Sequence, residues 1–180
     1  INRSVKIMLC GIPNVGKSSF INRVAGKALT KTGDRPGVTR GKQWIRLSGG
    51  VELLDMPGIL WPKLDDERTG ILLAVTGAVK DNILDVETLA CKLMEILYHH
   101  APELLTERYK FELPHEDEEI DFLGYELLMR AGRKRGFLIS GGEIDTERMA
   151  RILLDEYRGG KLGRITLETP DEYAEEQANG

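Results

Sequence analysis

The feature that most constrains this chain is the octet Gly11-Ile12-Pro13-Asn14-Val15-Gly16-Lys17-Ser18, which fits G-x-x-x-x-G-K-[ST] at every fixed position. Val5–Leu9 precedes it, a short β-branched and apolar run that reads as a buried strand. Residues 18–25 follow, with Phe20, Ile21 and Val24 at helical spacing and Gly26 as the stop. A strand, a glycine-bracketed turn and a helix, in that order, make a phosphate cradle. Gly11 and Gly16 let the backbone bend until its N–H groups face phosphate oxygens. The helix adds the positive end of its dipole. Lys17 would reach the β- and γ-phosphates, and the Ser18 hydroxyl would ligate Mg²⁺. The expected nucleotide contacts along this stretch are Asn14, Val15, Gly16, Lys17, Ser18 and Ser19.

The next segments supply candidates for the rest of such a site. Residues 27–42 are glycine-rich and polar and read as a long loop. Gln43–Leu47 and Val51–Leu54 read as strands of a hairpin turning at Ser48-Gly49-Gly50. Asp55-Met56-Pro57-Gly58 follows, with Asp55 38 residues past Lys17. An acid at the end of a neighbouring strand is where a phosphate-loop enzyme needs its second Mg²⁺ anchor. Gly58 could then offer its N–H to a γ-phosphate with no Cβ in the way. Taken alone, the same four residues are an ordinary Pro-Gly turn. Thr39, in the long loop, carries a hydroxyl that could ligate Mg²⁺ and order the loop around a γ-phosphate.

From about residue 67 the pattern turns helical. Val86, Leu89, Ala90, Leu93, Met94 and Leu97 form an amphipathic stripe behind Asp85 as N-cap. Further helices are expected at 102–108, at 117–131 and behind Asp145, with Met149, Ile152 and Leu153 inward and Gly159-Gly160 as the stop. Residues 164–168 read as a short strand, and 169–180 as an acidic tail. The expected fold class is α/β: a phosphate-loop part with an incomplete sheet at 1–84, then an α-helical part at 85–168.

Charge is unevenly divided. Residues 1–60 hold 10 Lys+Arg against 3 Asp+Glu, while 61–180 hold 15 against 26. A basic first third suits an anionic ligand such as a nucleotide. No apolar run approaches the ~18 residues of a membrane span. Cys10 and Cys91 make no disulfide scaffold, and no secretory leader is visible, so a cytoplasmic setting is expected. Cys10 is expected to be a small buried residue at a strand end, Cys91 a helix core residue, and Trp44 and Trp61 packing residues. His115 and the acids of 116–119 read as a solvated helix start rather than a metal site.

The phosphate loop, the Thr39 loop and Asp55–Gly58 resemble the first three motifs of a translation-factor-type GTPase. The stretches GIPNVGKSSFIN (11–22), RPGVTRGKQW (35–44), LLDMPGILWP (53–62) and GRKRGFLISGGEID (132–145) are narrower. They resemble the circularly permuted GTPases that assemble the large ribosomal subunit in bacteria and organelles, over about residues 3–168. That resemblance implies GTP and GDP as ligands, and the large-subunit precursor and its rRNA as partners, with neither membrane nor DNA. It implies Lys17, Thr39 and Gly58 as catalytic residues, with Ser18, Thr39 and Asp55 at Mg²⁺. Asn14 holds the position that binds K⁺ in potassium-activated relatives. Ile59 stands where Ras-like enzymes place a water-positioning Gln, which implies a slow enzyme activated by the particle.

In that family the guanine-recognition motif Asn-Lys-x-Asp lies upstream of the phosphate loop. The chain has no such motif and begins at Ile1. The expectation is therefore that the guanine half lies outside these residues. The sheet would then expose an apolar edge and face, and nucleotide binding would be weak or blind to the base. For the helical part, the resemblance implies docking on rRNA. Residues 127–164 carry 9 Lys+Arg against 5 Asp+Glu, and Arg130, Arg133, Lys134, Arg135, Lys161 and Arg164 are the candidate contacts. Two other readings stay open: a non-catalytic RNA- or ribosome-binding module, and a phosphate-loop ATPase.

Overall fold

A computed structural model describes residues 4–27, 41–60, 66–79, 85–115 and 118–168. The chain divides into two compact units, Ile1–Ile83 and Leu84–Gly180.

In the first unit, β1 (Val5–Leu9) leads into α1 (Lys17–Ala25); β2 (Gln43–Leu47) and β3 (Val51–Asp55) follow, then α2 (Glu67–Val75). The sheet order is β1-β3-β2, with β1 parallel to β3 and β2 antiparallel to it. The hairpin turns at the expected Ser48-Gly49-Gly50 because Gly49 (φ 79°) and Gly50 (φ 74°) both adopt positive φ. Ile7, Leu53 and Ile45 share one register row and therefore one face of the sheet. Ile21 of α1 packs there with Ile45 and Leu53, flanked by Leu9 and Leu47. That core is small, and β1 sits at the sheet's edge with Val5 59%, Ile7 45% and Met8 60% exposed. An apolar parallel strand usually lies inside a sheet with both faces covered. The expected open edge and face are present here. Phe20 and Val24 differ from the sequence reading: Ile21 alone is buried, and both neighbours face solvent. Asp66 caps α2 by accepting the Thr69 and Arg68 backbone N–H at 2.8 and 3.2 Å.

The second unit is a helical bundle: α3 (Val86–His100), α4 (Pro102–Tyr109), α5 (Leu123–Lys134) and α6 (Thr146–Arg158). α3 packs against the other three, burying Leu89, Ala90, Leu93, Met94 and Leu97, the stripe its 3.6-residue period implies. Leu105, Leu127, Leu128, Met149, Leu153 and Leu154 fill the same core. Asp85 and Asp145 act as N-caps, accepting from the N–H of Thr88 (3.0 Å) and Arg148 (2.9 Å). α5 approaches α3 so closely that any Cβ on Gly124 would collide with the Cys91 carbonyl.

Several expectations fail here. α5 begins at Leu123, not near 117, and Glu118 lies outside it, bonded to Arg130 at 2.5 Å. Glu118 and Glu119 lie outside any helix, and Glu118 accepts the His115 backbone N–H; Glu116 and Asp117 lie outside the described residues. Residues 164–168 form no strand; no partner strand lies beside them among the described residues. A short bridge joins Leu138 and Ile144 instead. Cys10 is exposed and Cys91 half-buried, since the sheet edge near Cys10 is uncovered. Burial pushes the Cys91 thiol up to about 11, with nearby carboxylates adding to the shift. Trp44 is 56% exposed on the sheet's second face, with the Lys6 ammonium 5.6 Å from its ring centroid. Trp61, Thr30–Asp34 and the 169–180 tail lie outside the described residues.

Candidate phosphate-binding site

Residues 10–16 carry the chain from the end of β1 to the start of α1. Gly16 is the N-cap of α1 and adopts φ 86°, ψ 12°, a left-handed conformation in which a Cβ is strained. That turn starts the helix at Lys17, and the Phe20 N–H closes the first helical bond on the Gly16 carbonyl at 2.8 Å. Asn14 is also left-handed (φ 57°), which its short polar side chain tolerates. The first N–H groups of an α-helix find no acceptor within the helix, and such a helix start favours an anion. Lys17 arches over the turn: its Nζ donates to the carbonyls of Ile12 (2.6 Å) and Gly11 (3.1 Å). The ammonium thus lies on the backbone of the loop itself, and among the described residues no acidic partner binds it.

The end of β3 is joined to this loop. Leu9 and Asp55 are register partners at the ends of the parallel pair. The Met56 N–H then donates to the Leu9 carbonyl (3.2 Å), and the Ile59 N–H to the Gly11 carbonyl (3.2 Å). Between them Gly58 lies against Pro13, where an added Cβ would stand 2.6 Å from the Pro13 Cα and 2.7 Å from its nitrogen. Glycine is required here by this close approach alone. The sequence offered only the nucleotide argument for that residue; the packing argument depends on two segments 45 residues apart meeting.

Asp55 is fully buried. Its Oδ2 accepts from the Gln43 Nε2 at 3.4 Å, but Oδ1 has no hydrogen-bond partner. A buried, unpartnered carboxylate oxygen is costly to keep. A cation, or water bound to one, would satisfy it, so the residues present fit a Mg²⁺ site completed by a hydroxyl and by phosphate oxygens. Among the described residues no group of three or more His, Cys, Asp and Glu forms a separate metal cluster. Gln43 is a site residue that the sequence reading missed. Its only signal was its place as the first residue of β2, which the hairpin register sets opposite Asp55.

Asn14 donates its Nδ2 to the Gly77 carbonyl at 2.8 Å, tying the loop to the turn after α2. Val15 is exposed at the crest of the loop; Ser18 and Ser19 stand in the first turn of α1. Ile59 is 63% exposed and offers no side-chain hydrogen bond. Thr39 lies outside the described residues.

In the helical unit the six basic candidates divide. Arg130 is held by Glu126 (2.7 Å), Glu118 (2.5 Å) and the Glu112 carbonyl (3.1 Å). These contacts raise its already high pKa, the Glu126 bond most, and Arg130 in turn lowers that of Glu118. Arg135 is bound to Glu156. Arg133, Lys134, Lys161 and Arg164 are exposed.

A glycine-cornered loop opening a helix, a strand-end acid and a second glycine packed on the loop define a phosphate-loop fold. The family described as 50S ribosome-binding GTPase matches residues 6–111, and the chain belongs to that family. It is 47% identical over 175 residues to Ribosome biogenesis GTPase A of Bacillus cereus, covering 97% of this chain and 57% of that protein. It is similar to a GDP-bound structure of TM YlqF at TM-score 0.64 and 27% identity, covering 95% of this chain and 63% of that one. A GNP-bound YlqF from T. maritima aligns at TM-score 0.54 and 28% identity, over 94% of this chain and 60% of that one. The chain thus spans a little over half the length of the curated relatives it matches. No helix among the described residues is long and apolar enough to cross a membrane.

Proposed function

We propose that these residues are the phosphate-binding and particle-docking parts of a circularly permuted GTPase that serves late assembly of the large ribosomal subunit in the cytoplasm. The observation that carries this reading is the junction of the two motif loops: Lys17 over the glycine-cornered turn, Asp55 buried with one oxygen unpartnered, and Gly58 pressed on Pro13. The family and its named relatives supply the nucleotide and the ribosomal setting.

In this reading the α1 N-terminus and the N–H groups of residues 14–19 hold the phosphates. Lys17 leaves its two carbonyls for the β- and γ-phosphate oxygens, where it neutralises charge that develops on transfer. Ser18, Thr39 and Asp55 would hold Mg²⁺, which when bound would supply further charge neutralisation at the phosphates. Asn14, at the position the resemblance assigns to K⁺, would help to hold that ion. Gly58 offers its N–H to the γ-phosphate, so nucleotide state alters the seam between Gly58 and Pro13. Ile59 contributes no water-positioning group, which makes hydrolysis slow until the ribosomal particle supplies one. The exposed bases Arg133, Lys134, Lys161 and Arg164 dock on rRNA.

The test is a titration of the chain with a fluorescent GTP analogue in Mg²⁺ and K⁺, beside Lys17→Ala. Saturable, Mg²⁺-dependent binding that Lys17→Ala weakens at least about tenfold supports the reading. Equal binding by both chains sinks it, as does binding that ignores Mg²⁺. Competition by GTP, GDP and ATP alike places base selection outside these residues.

A further inference from the structure

The helical unit holds a cluster that the nucleotide chemistry does not use. Glu156 of α6 is only 6% exposed. Arg108, at the end of α4, grips it with two parallel bonds: Nε to Oε2 at 3.1 Å and Nη2 to Oε1 at 2.5 Å. Arg135, just past α5, adds its Nη2 to both carboxylate oxygens at 3.1 and 3.3 Å. The Tyr109 hydroxyl donates to Oε2 at 2.9 Å. The Arg135 guanidinium also lies 5.3 Å from the Tyr109 ring centroid. Burial works to raise the Glu156 pKa, but the bonds from Arg108 and Tyr109 and the charge of Arg135 outweigh it and hold the carboxyl below its usual range.

One carboxylate is thus shared by two guanidiniums, and the group keeps a net positive charge. Neither arginine is sealed in: their side chains remain 35% and 32% exposed. Among the described residues, Nη1 of Arg108 and both Nε and Nη1 of Arg135 have no protein acceptor. Fixed donors of this kind cost little side-chain entropy when an anion arrives, and guanidinium geometry matches a phosphate's oxygens. The backbone places Lys161 beside the cluster, its N–H on the Glu156 carbonyl at 2.8 Å, with the side chain exposed.

We propose that Arg108 and Arg135, preset by Glu156 and Tyr109, form a binding site for a phosphodiester group of RNA. This rests on the RNA-docking part of the function proposed above and places that contact on residues beyond the exposed bases named there. Arg135 was among the candidate contacts read from the sequence; Arg108 was not, since only the fold brings it to Glu156, 48 positions away.

The experiment is fluorescence anisotropy of the full chain with a labelled RNA duplex of about 16 base pairs, across a salt series. Arg135→Gln leaves the Arg108 fork on Glu156 intact. It should weaken binding roughly five- to tenfold near 0.1 M salt and lower the log–log salt slope by about 1. Arg135→Lys keeps the charge, loses the fork, and should recover only part of that loss. Lys92→Gln makes the same charge change on α3 and should alter affinity less than about twofold. On the unmodified chain, the side-chain Nε–H resonances of Arg108 and Arg135 should shift on RNA addition, a readout independent of whether any variant folds. Unshifted resonances, or Arg135→Gln no weaker than Lys92→Gln, with RNA still bound, overturn this site and leave RNA docking standing. No salt-dependent RNA binding by the unmodified chain overturns both.

Discussion

The two units solve the burial problem to different degrees. The helical unit buries a continuous run of large side chains, from Leu89 through Leu97 on α3 to Met149 and Leu154 on α6, and ties α4, α5 and α6 together through Glu156. The α/β unit seats Ile21, Ile45 and Leu53 in a small sheet core, buries Leu73, Ala74, Val75 and Ala78 in and just after α2, and leaves Val5, Ile7, Met8, Phe20, Val24 and Trp44 open to solvent. The candidate phosphate site stands on the second kind of ground. The lesson is that a motif can be locally complete while its scaffold is not: the turn, the lysine and the acid are in place on a sheet whose apolar edge is uncovered. A ligand that bridges residues 11–18 and 55–58 would then stabilise the α/β unit strongly and the helical unit hardly at all.

Truncation should separate the units most sharply. Leu93→Ala or Leu153→Ala, both fully buried, should cost about 2–5 kcal/mol in denaturant unfolding of the helical unit. Ile7→Ala, on the exposed strand, should cost about 1 kcal/mol or less. Equal costs would mean that β1 is better covered than its exposure indicates.

Asp55→Asn probes the orphaned oxygen. The Mg²⁺ needed for half-maximal binding of a GDP analogue should rise about 10- to 100-fold, while binding without Mg²⁺ changes little. Gly58→Ala sharpens the contrast from the packing side. The added methyl meets the Pro13 backbone and should destabilise the α/β unit by about 1–3 kcal/mol, with or without nucleotide. If the loss appears only with a GTP analogue bound, the glycine serves the γ-phosphate and not the seam.

Acid gives a smaller effect on the other unit. Glu156 has a depressed folded pKa, so its contribution is fully present above the unfolded value of about 4.3 and is lost as pH falls through the folded value. Helical CD melts should show a Tm that holds from pH 7 to about 5 and drops below about 4. Glu156→Gln should lower the Tm at pH 7 and flatten the drop. An unchanged acid slope in that variant would assign the effect to other carboxylates.

Legibility followed the range of the interactions. The phosphate loop, the hairpin, the α3 stripe and the Asp85 and Asp145 caps rest on residues a few positions apart, and the sequence shows them. What it hid was long-range. Gln43 meets Asp55 only through hairpin register, Gly58 is confined by Pro13, and Arg108 and Arg135 meet on Glu156. Arg130 likewise meets Glu118, 12 positions earlier and outside α5. Cys10 and Trp44 misled because their apolar character implied a cover that the three-strand sheet does not provide.

The most direct measurement is amide hydrogen exchange of the whole chain with and without Mg²⁺ and GDP. The account expects fast exchange in β1 and residues 11–19 without ligand and slow exchange throughout the core of α3 and α6. Mg²⁺ and GDP should then protect β1, residues 11–19 and 55–59, and leave α3 and α6 unchanged. Full protection of β1 in the absence of ligand, or ligand protection confined to the helical unit, would contradict it.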